Sequence, residues 1–146
     1  MKSRGFGFTL IEILVALLVL GGLVAISTPV YRSYVDRARM SEAVSVVQTV
    51  LLSASELCGM NALRSATDAQ LGVSTPSAFA TAKVVASISA SDVSADGLYV
   101  TVTLKKFGDV SAGDTLVIKG SCQNRSMNWT VDTSSTAPAQ LLPKQI

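Results

Sequence analysis

An α+β fold, one long N-terminal α-helix packed on a roughly four-stranded antiparallel sheet, is predicted by three features of the 146-residue chain. A continuous apolar run lies near the amino end. A stripe of apolar residues at spacings of three and four follows it, and the carboxyl half alternates apolar and polar residues between turn signals. The length suits a single domain, about 100 to 200 residues being usual. Charged residues make up 15% and apolar residues 49%; an ordinary soluble domain is about 25% charged, so the apolar excess is concentrated somewhere. The chain has no His, which excludes Ser-His-Asp and Cys-His nucleophile systems and His-containing zinc sites. A net charge of +2 is too small to mark a nucleic-acid binder.

The first element is the apolar run FTLIEILVALLVLGGLVAI, Phe8 to Ile26, whose only polar side chains are Thr9 and Glu12. As a helix it spans about 28 Å, close to the roughly 30 Å hydrocarbon layer of a bilayer. The preceding MKSRGFG carries Lys2 and Arg4 and no acid, so the amino end stays cytoplasmic and everything after Ile26 lies outside. A plain membrane anchor and a secretory signal removed near Thr28 both compete for this segment. Neither has a use for Glu12, although a carboxylate within a membrane helix costs about 2.5 to 3.5 kcal/mol and is a functional candidate by default.

Gly7 followed by Phe8-Thr9-Leu10-Ile11-Glu12, after a short basic leader and ahead of a long apolar run, closely resembles the processing site of type IV prepilins. Gly21, Pro29, Tyr31 and Tyr34 also fall where type IVa pilins tend to carry a helix-softening Gly, a Pro and paired tyrosines. The resemblance is specific over about the first 30 residues and architectural beyond them. It implies cleavage after Gly7 by a membrane prepilin peptidase, which also N-methylates the new Phe8 amine, and polymerisation into a helical filament with the inner-membrane pilus machinery. On this basis residues 1–7 are a leader peptide, 8–30 a transmembrane and filament-core helix, and 31–146 a globular domain outside the inner membrane. Glu12 then has a role: the carboxylate of one subunit neutralises the Phe8 amine of its neighbour in an apolar core, where an unpaired charge would be very costly. Removing Lys2 and Arg4 leaves ten basic and ten acidic side chains, a near-neutral subunit that packs without long-range repulsion.

Gly21-Gly22 and Ser27-Thr28-Pro29 are expected to weaken helical order, since Pro removes a backbone donor and Gly costs about 1 kcal/mol in a helix interior. In the pilins it resembles, the stretch between the Gly and the Pro can lose helicity in the filament. Periodicity resumes with Met40, Ala43, Val44, Val47, Val50, Leu51, Ala54, Leu57 and Cys58, one stripe to pack on a sheet. Cys58-Gly59 is the expected stop. Arg32, Asp36, Arg37 and Arg39 form a charge cluster beside the membrane, solvated just outside the bilayer or, as the pilin resemblance implies, in contact with neighbouring subunits.

Residues 60–81, with Gly72 and Pro76, lack a clear period and read as a long connection with a helical turn near Ser65 to Leu71. Strands are expected at Lys83 to Ser89, Leu98 to Lys105, Thr115 to Lys119 and Met127 to Asp132, with turns at Asp96-Gly97, Gly113-Asp114 and Gly120. The tail from Thr133 reads as an irregular surface segment.

Cys58 and Cys122 both fall outside the membrane in this orientation, where oxidation is favoured, and are expected to form a disulfide. Type IVa pilins more often close a loop near the carboxyl terminus, whereas residues 133–146 hold no Cys. Lys105, Lys106, Lys119 and Arg125 form at best a weak nucleic-acid patch. Asp92 with Asp96 and Asp109 with Asp114 lack EF-hand ligand spacing, and no metal or cofactor is expected. Asn124-Arg125-Ser126 and Asn128-Trp129-Thr130 match the N-glycosylation triplet, a pattern that arises often by chance.

The sequence therefore predicts a structural pilus subunit, anchored in a bacterial inner membrane before assembly and extracellular afterwards, serving motility, adhesion or DNA uptake. A minor pilin, a type II secretion pseudopilin and a secreted binding domain are the alternatives. No catalytic constellation is present, and an enzyme is not expected.

Overall fold

The computed structural model describes residues 7–73, 82–144 and 146; Lys2, Arg4 and Pro76 lie outside the described residues. The chain divides into two compact units, Met1–Val35 and Asp36–Ile146. One α-helix, α1 (Leu10–Gly59), contributes residues to both.

In the amino-terminal unit, the helix passes through Gly21, Gly22 and Pro29 without interruption. Pro29 has no N–H for the carbonyl four residues back. Just ahead of it, the Ser27 and Thr28 hydroxyls donate to the Leu23 and Val24 carbonyls, each at 2.8 Å. Such back-bonding follows from a short hydroxyl side chain within a helix.

In the carboxyl-terminal unit the predicted stripe is the face that packs. Met40, Ala43, Val47, Val50, Leu51, Ala54 and Cys58 are buried, and Val44 and Leu57 partly so. The helix ends at Gly59 as expected, but Asn61 turns the chain, at φ +58°. Its N–H donates to the Cys58 carbonyl and that of Ala62 to the Leu57 carbonyl, at 3.0 and 2.9 Å, the paired bonds of a Schellman stop. The expected helical turn resolves into a 3₁₀ turn at Leu63–Ser65 and a short helix, α2 (Asp68–Leu71). A Thr67/Gln70 capping box opens α2 and left-handed Gly72 closes it.

Four strands follow: β1 (Val85–Ser91), β2 (Gly97–Leu104), β3 (Thr115–Gln123) and β4 (Ser126–Val131). They pair antiparallel in chain order, as short connections require. Leu98, Val100, Val102 and Leu104 of β2 alternate inward as read from the sequence, joined by Leu116 and Ile118 of β3.

Three expectations are corrected. Gly120 is not a turn residue: it lies within β3, directly opposite Trp129 of β4. A Cβ there would meet the indole, with Cη2 at 2.8 Å and Cε3 at 2.9 Å, so glycine makes room for the ring. The turn falls instead at Asn124 and Arg125, both left-handed at φ +51° and +62°, as a two-residue hairpin of matching twist demands. The tail, irregular as expected, is more than surface, because Ala137 and Leu141 are buried in the core. Its hydroxyls finish the sheet edge beyond β4: Thr136 Oγ1 accepts from the Thr115 N–H at 2.8 Å and Ser135 Oγ from the Val117 N–H at 3.0 Å. Asp36, grouped with the solvated arginines by sequence, is 6% exposed. The turn between Phe107 and Val110 covers it, and Gly108 lies directly against its carboxylate.

Cys58 and Cys122 form a disulfide, with Cα atoms 5.9 Å apart. It joins the end of α1 to β3. Beside it, the Trp129 indole N–H donates to Ser55 Oγ at 3.2 Å, and that hydroxyl donates to the Leu51 carbonyl at 2.8 Å.

Candidate functional site

The amino-terminal unit concentrates the residues singled out by sequence. The helix begins at Leu10, with Gly7 and Phe8 outside it, and the Phe8 ring is 79% exposed. Thr9 caps the helix, its Oγ1 accepting from the Glu12 N–H at 3.4 Å. The signal for this cap in the sequence is Thr-x-x-Glu, a signature of helix starts. Glu12 therefore sits in the first turn, where a negative charge faces the positive end of the helix dipole. Its carboxylate is exposed and has no hydrogen-bond or ion-pair partner among the described residues.

The surroundings of Glu12 are apolar on all sides. Thirteen large apolar side chains between Phe8 and Ile26 are exposed. Burying such a side chain is worth roughly 1.5 kcal/mol or more, so on the order of 20 kcal/mol favours placing this surface among lipid or other helices. A helix apolar all round belongs in such a setting. α1 is the one helix among the described residues long and apolar enough to cross a membrane. The few kcal/mol cost of Glu12 does not overcome that preference, but it does favour any arrangement that brings a cation to the carboxylate. Gly21 and Gly22 have open space around them and Pro29 lies within α1.

The remaining charged residues do not converge. Tyr99 pairs with Lys119 across β2 and β3, and the ammonium stands 5.6 Å from the Tyr99 ring centroid. Lys105 follows the other end of β2, about 20 Å along the strand at 3.4 Å per residue, and its Nζ donates to the Ala82 carbonyl. Arg125 sits in the β3–β4 turn. Lys105 with its neighbour Lys106, Lys119 and Arg125 are thus strung along the domain. Asp114 is used in its own turn, accepting from the Ser111 N–H at 2.8 Å. No group of three or more His, Cys, Asp or Glu able to hold a metal occurs among the described residues. The Asp132 carboxyl is held below its ordinary pKa by the Ser134 hydroxyl, then by the Ser134 N–H, with the Lys119 charge contributing less. An open groove beside β4 is lined by Asn128, Trp129, Thr130, Val131, Lys144 and Ile146.

Comparison with known proteins accounts for both units. Residues 37–146 match the family described as Pilin (bacterial filament), and residues 2–28 match the prokaryotic N-terminal methylation motif. The chain is 34% identical over 145 residues to the fimbrial protein EcpC of Eikenella corrodens, covering 98% of this chain and 91% of that one. It is 28% identical over 162 residues to the type IV major fimbrial protein FimA of Dichelobacter nodosus, covering 100% and 97%. To the type IV major pilin protein PilE1 of Neisseria gonorrhoeae it is 27% identical over 131 residues, covering 88% and 70%.

Proposed function

The chain belongs to the pilin family and is a structural subunit of a type IV pilus; from that premise we propose that it is the major subunit, polymerised through its amino-terminal helix by pairing Glu12 with the amine of Phe8 on a neighbouring copy. Two of the relatives carry the word major in their names, which supports the first part. The unpartnered Glu12 carboxylate, in the amino-terminal stretch of α1 whose large side chains are otherwise apolar and exposed, carries the second.

Cleavage between Gly7 and Phe8 by the prepilin peptidase leaves a cationic, N-methylated amine one residue ahead of the Thr9 cap. In a bundle of such helices, water is excluded and the attraction of amine and carboxylate strengthens as the dielectric constant falls. An offset that leaves either charge alone is disfavoured, so the pair sets the stagger of subunits as well as holding them. Before assembly the same apolar surface anchors the subunit in the inner membrane, its amino end cytoplasmic through Lys2 and Arg4. Gly21, Gly22 and Pro29 give the helix the compliance to repack in the filament. The assembled filament is extracellular and serves motility, adhesion or DNA uptake.

Glu12→Ala is the test. The variant is expected in the membrane fraction at normal abundance with filament yield near zero. Normal yield sinks the pairing, and sequencing of the mature protein must find N-methyl-Phe8 rather than a start near Thr28. In a filament inventory by mass spectrometry, this chain as the bulk component marks a major subunit, and a trace component does not.

A further inference from the structure

Tyr99 lies half-buried on the sheet, whereas the other two tyrosines of the chain, Tyr31 and Tyr34, are 68% and 73% exposed on α1. Neither of these two has a hydrogen bond or ring contact among the described residues. Three positions apart, they lie on the same side of the helix. They follow directly on Val30, where the run of exposed large apolar side chains that starts at Phe8 ends.

Position along the helix decides what surrounds them. α1 is unbroken from Leu10 past Tyr34. At 1.5 Å per residue, Tyr31 is about 32 Å and Tyr34 about 36 Å from Leu10. A hydrocarbon layer about 30 Å thick with its inner edge at Leu10 therefore ends just before Tyr31, and both rings fall in the headgroup layer that brings the bilayer to about 40 to 45 Å. A tilt of about 20° draws them inward by only about 2 Å and leaves them at that boundary. Water would leave the apolar area of the rings uncovered, and hydrocarbon would leave the hydroxyls unpaired. The headgroup layer satisfies both ends of a tyrosine.

A belt at this end also fixes the other end. Because the helix is continuous, holding Tyr31 and Tyr34 at the outer headgroups holds Gly7 and Phe8, just ahead of Leu10, at the cytoplasmic face. Cleavage removes Lys2 and Arg4, so the tyrosines are the anchor that the mature subunit keeps.

Resting on the membrane reading above, we propose that Tyr31 and Tyr34 dock in the headgroup layer of the outer leaflet of the inner membrane and set the depth at which the Gly7–Phe8 bond is presented for cleavage. They are positioning residues, and neither touches the bond that is cut.

The test uses full-length precursor in vesicles of phosphatidylcholine and phosphatidylglycerol. Tyr34→Trp adds one indole to that of Trp129, and wild type supplies the emission to subtract. The added emission is expected to be quenched about twofold more by bromine high on the acyl chains than by bromine near their ends, and scarcely by aqueous acrylamide. Quenching by acrylamide alone puts the ring in water, and stronger quenching by the deep bromine puts it in hydrocarbon; either result overturns the docking. Purified prepilin peptidase is then added. Tyr31→Ala with Tyr34→Ala, which removes no contact of the folded chain, is expected to slow the cut about tenfold, since misplacing a reacting bond by ångströms carries costs of at least that order. Tyr31→Trp with Tyr34→Trp keeps the belt and is expected to be cut at the wild-type rate. An unchanged rate in the Ala pair, or a Trp pair as slow as the Ala pair, overturns the depth setting. Wild-type precursor that does not float with the vesicles strikes the membrane reading itself, and the proposal with it.

Discussion

The Cys58–Cys122 bond links residues 64 positions apart. Closing a loop of that length in the unfolded chain removes entropy worth about 4 kcal/mol at 25 °C in the chain-entropy account. The carboxyl-terminal unit, Asp36–Ile146, spans 111 positions, and an unfolding entropy of about 2.1 cal/mol/K per residue gives roughly 4 °C in Tm for each kcal/mol. Cys58→Ser with Cys122→Ser is therefore expected to lower Tm by about 15 to 20 °C, and to remove much of a total stability that for such domains is about 5 to 15 kcal/mol. Trp129 is the natural probe, being the sole tryptophan and bonded to Ser55 on α1. Its emission, followed through thermal unfolding in detergent, reads the docking of β4 on the helix. A shift under 5 °C refutes the loop argument and means that the unfolded chain is already restrained in this region. A shift far above 20 °C would show that the bridge also holds native packing together.

Gly120→Ala should cost about 1 to 3 kcal/mol, because the new methyl meets the Trp129 ring and the indole must leave its place, weakening its bond to Ser55; a blue- or red-shifted native Trp129 emission together with a lower Tm checks it, and unchanged values for both contradict it. Asp132 has its pKa lowered in the folded chain, so the contribution of its charge is fully present above the unfolded carboxyl range and is lost as pH falls through the folded value. The stability gap between wild type and Asp132→Asn, measured by denaturation across pH 7 to 2, should accordingly shrink on acidification from about pH 5 downward; a gap that grows toward low pH has the wrong sign.

The helix stripe was legible because burial on one face of a helix writes itself into the chain every three or four residues, and Met40 through Cys58 obey that spacing. The alternation of β2 was legible for the same reason at a period of two. Gly120 was not, since a glycine demanded by a tryptophan on the next strand looks the same in one dimension as a glycine demanded by a turn. The real turn carries Asn124 and Arg125, and Arg is an unusual residue at positive φ. Asp36 stands among arginines in the chain, and only the Phe107–Val110 turn, some seventy positions on, removes it from water. The tail shows the same limit: serine and threonine suggest solvent, whereas Ser135 and Thr136 bond to β3 and hold Ala137 and Leu141 inward. The amino-terminal site could be proposed from the sequence without the fold, because the residues it uses, Gly7, Phe8 and Glu12, are near neighbours in the chain. The Thr9 cap was there to be read as well.

A pilus is a cable, and the disulfide changes how its subunit bears load. Tension entering at Cys58 passes through one covalent bridge to Cys122 and bypasses everything between. At about 3.4 Å per residue, the 64 positions it encloses hold some 220 Å of contour length that pulling cannot pay out. The 3₁₀ turn, α2, β1, β2 and most of β3 lie within that locked span. Only the helix ahead of the bridge and the chain after it, β4 included, can lengthen, so the pilin yields outside the bridge while β1, β2 and most of β3 stay within a span that cannot extend.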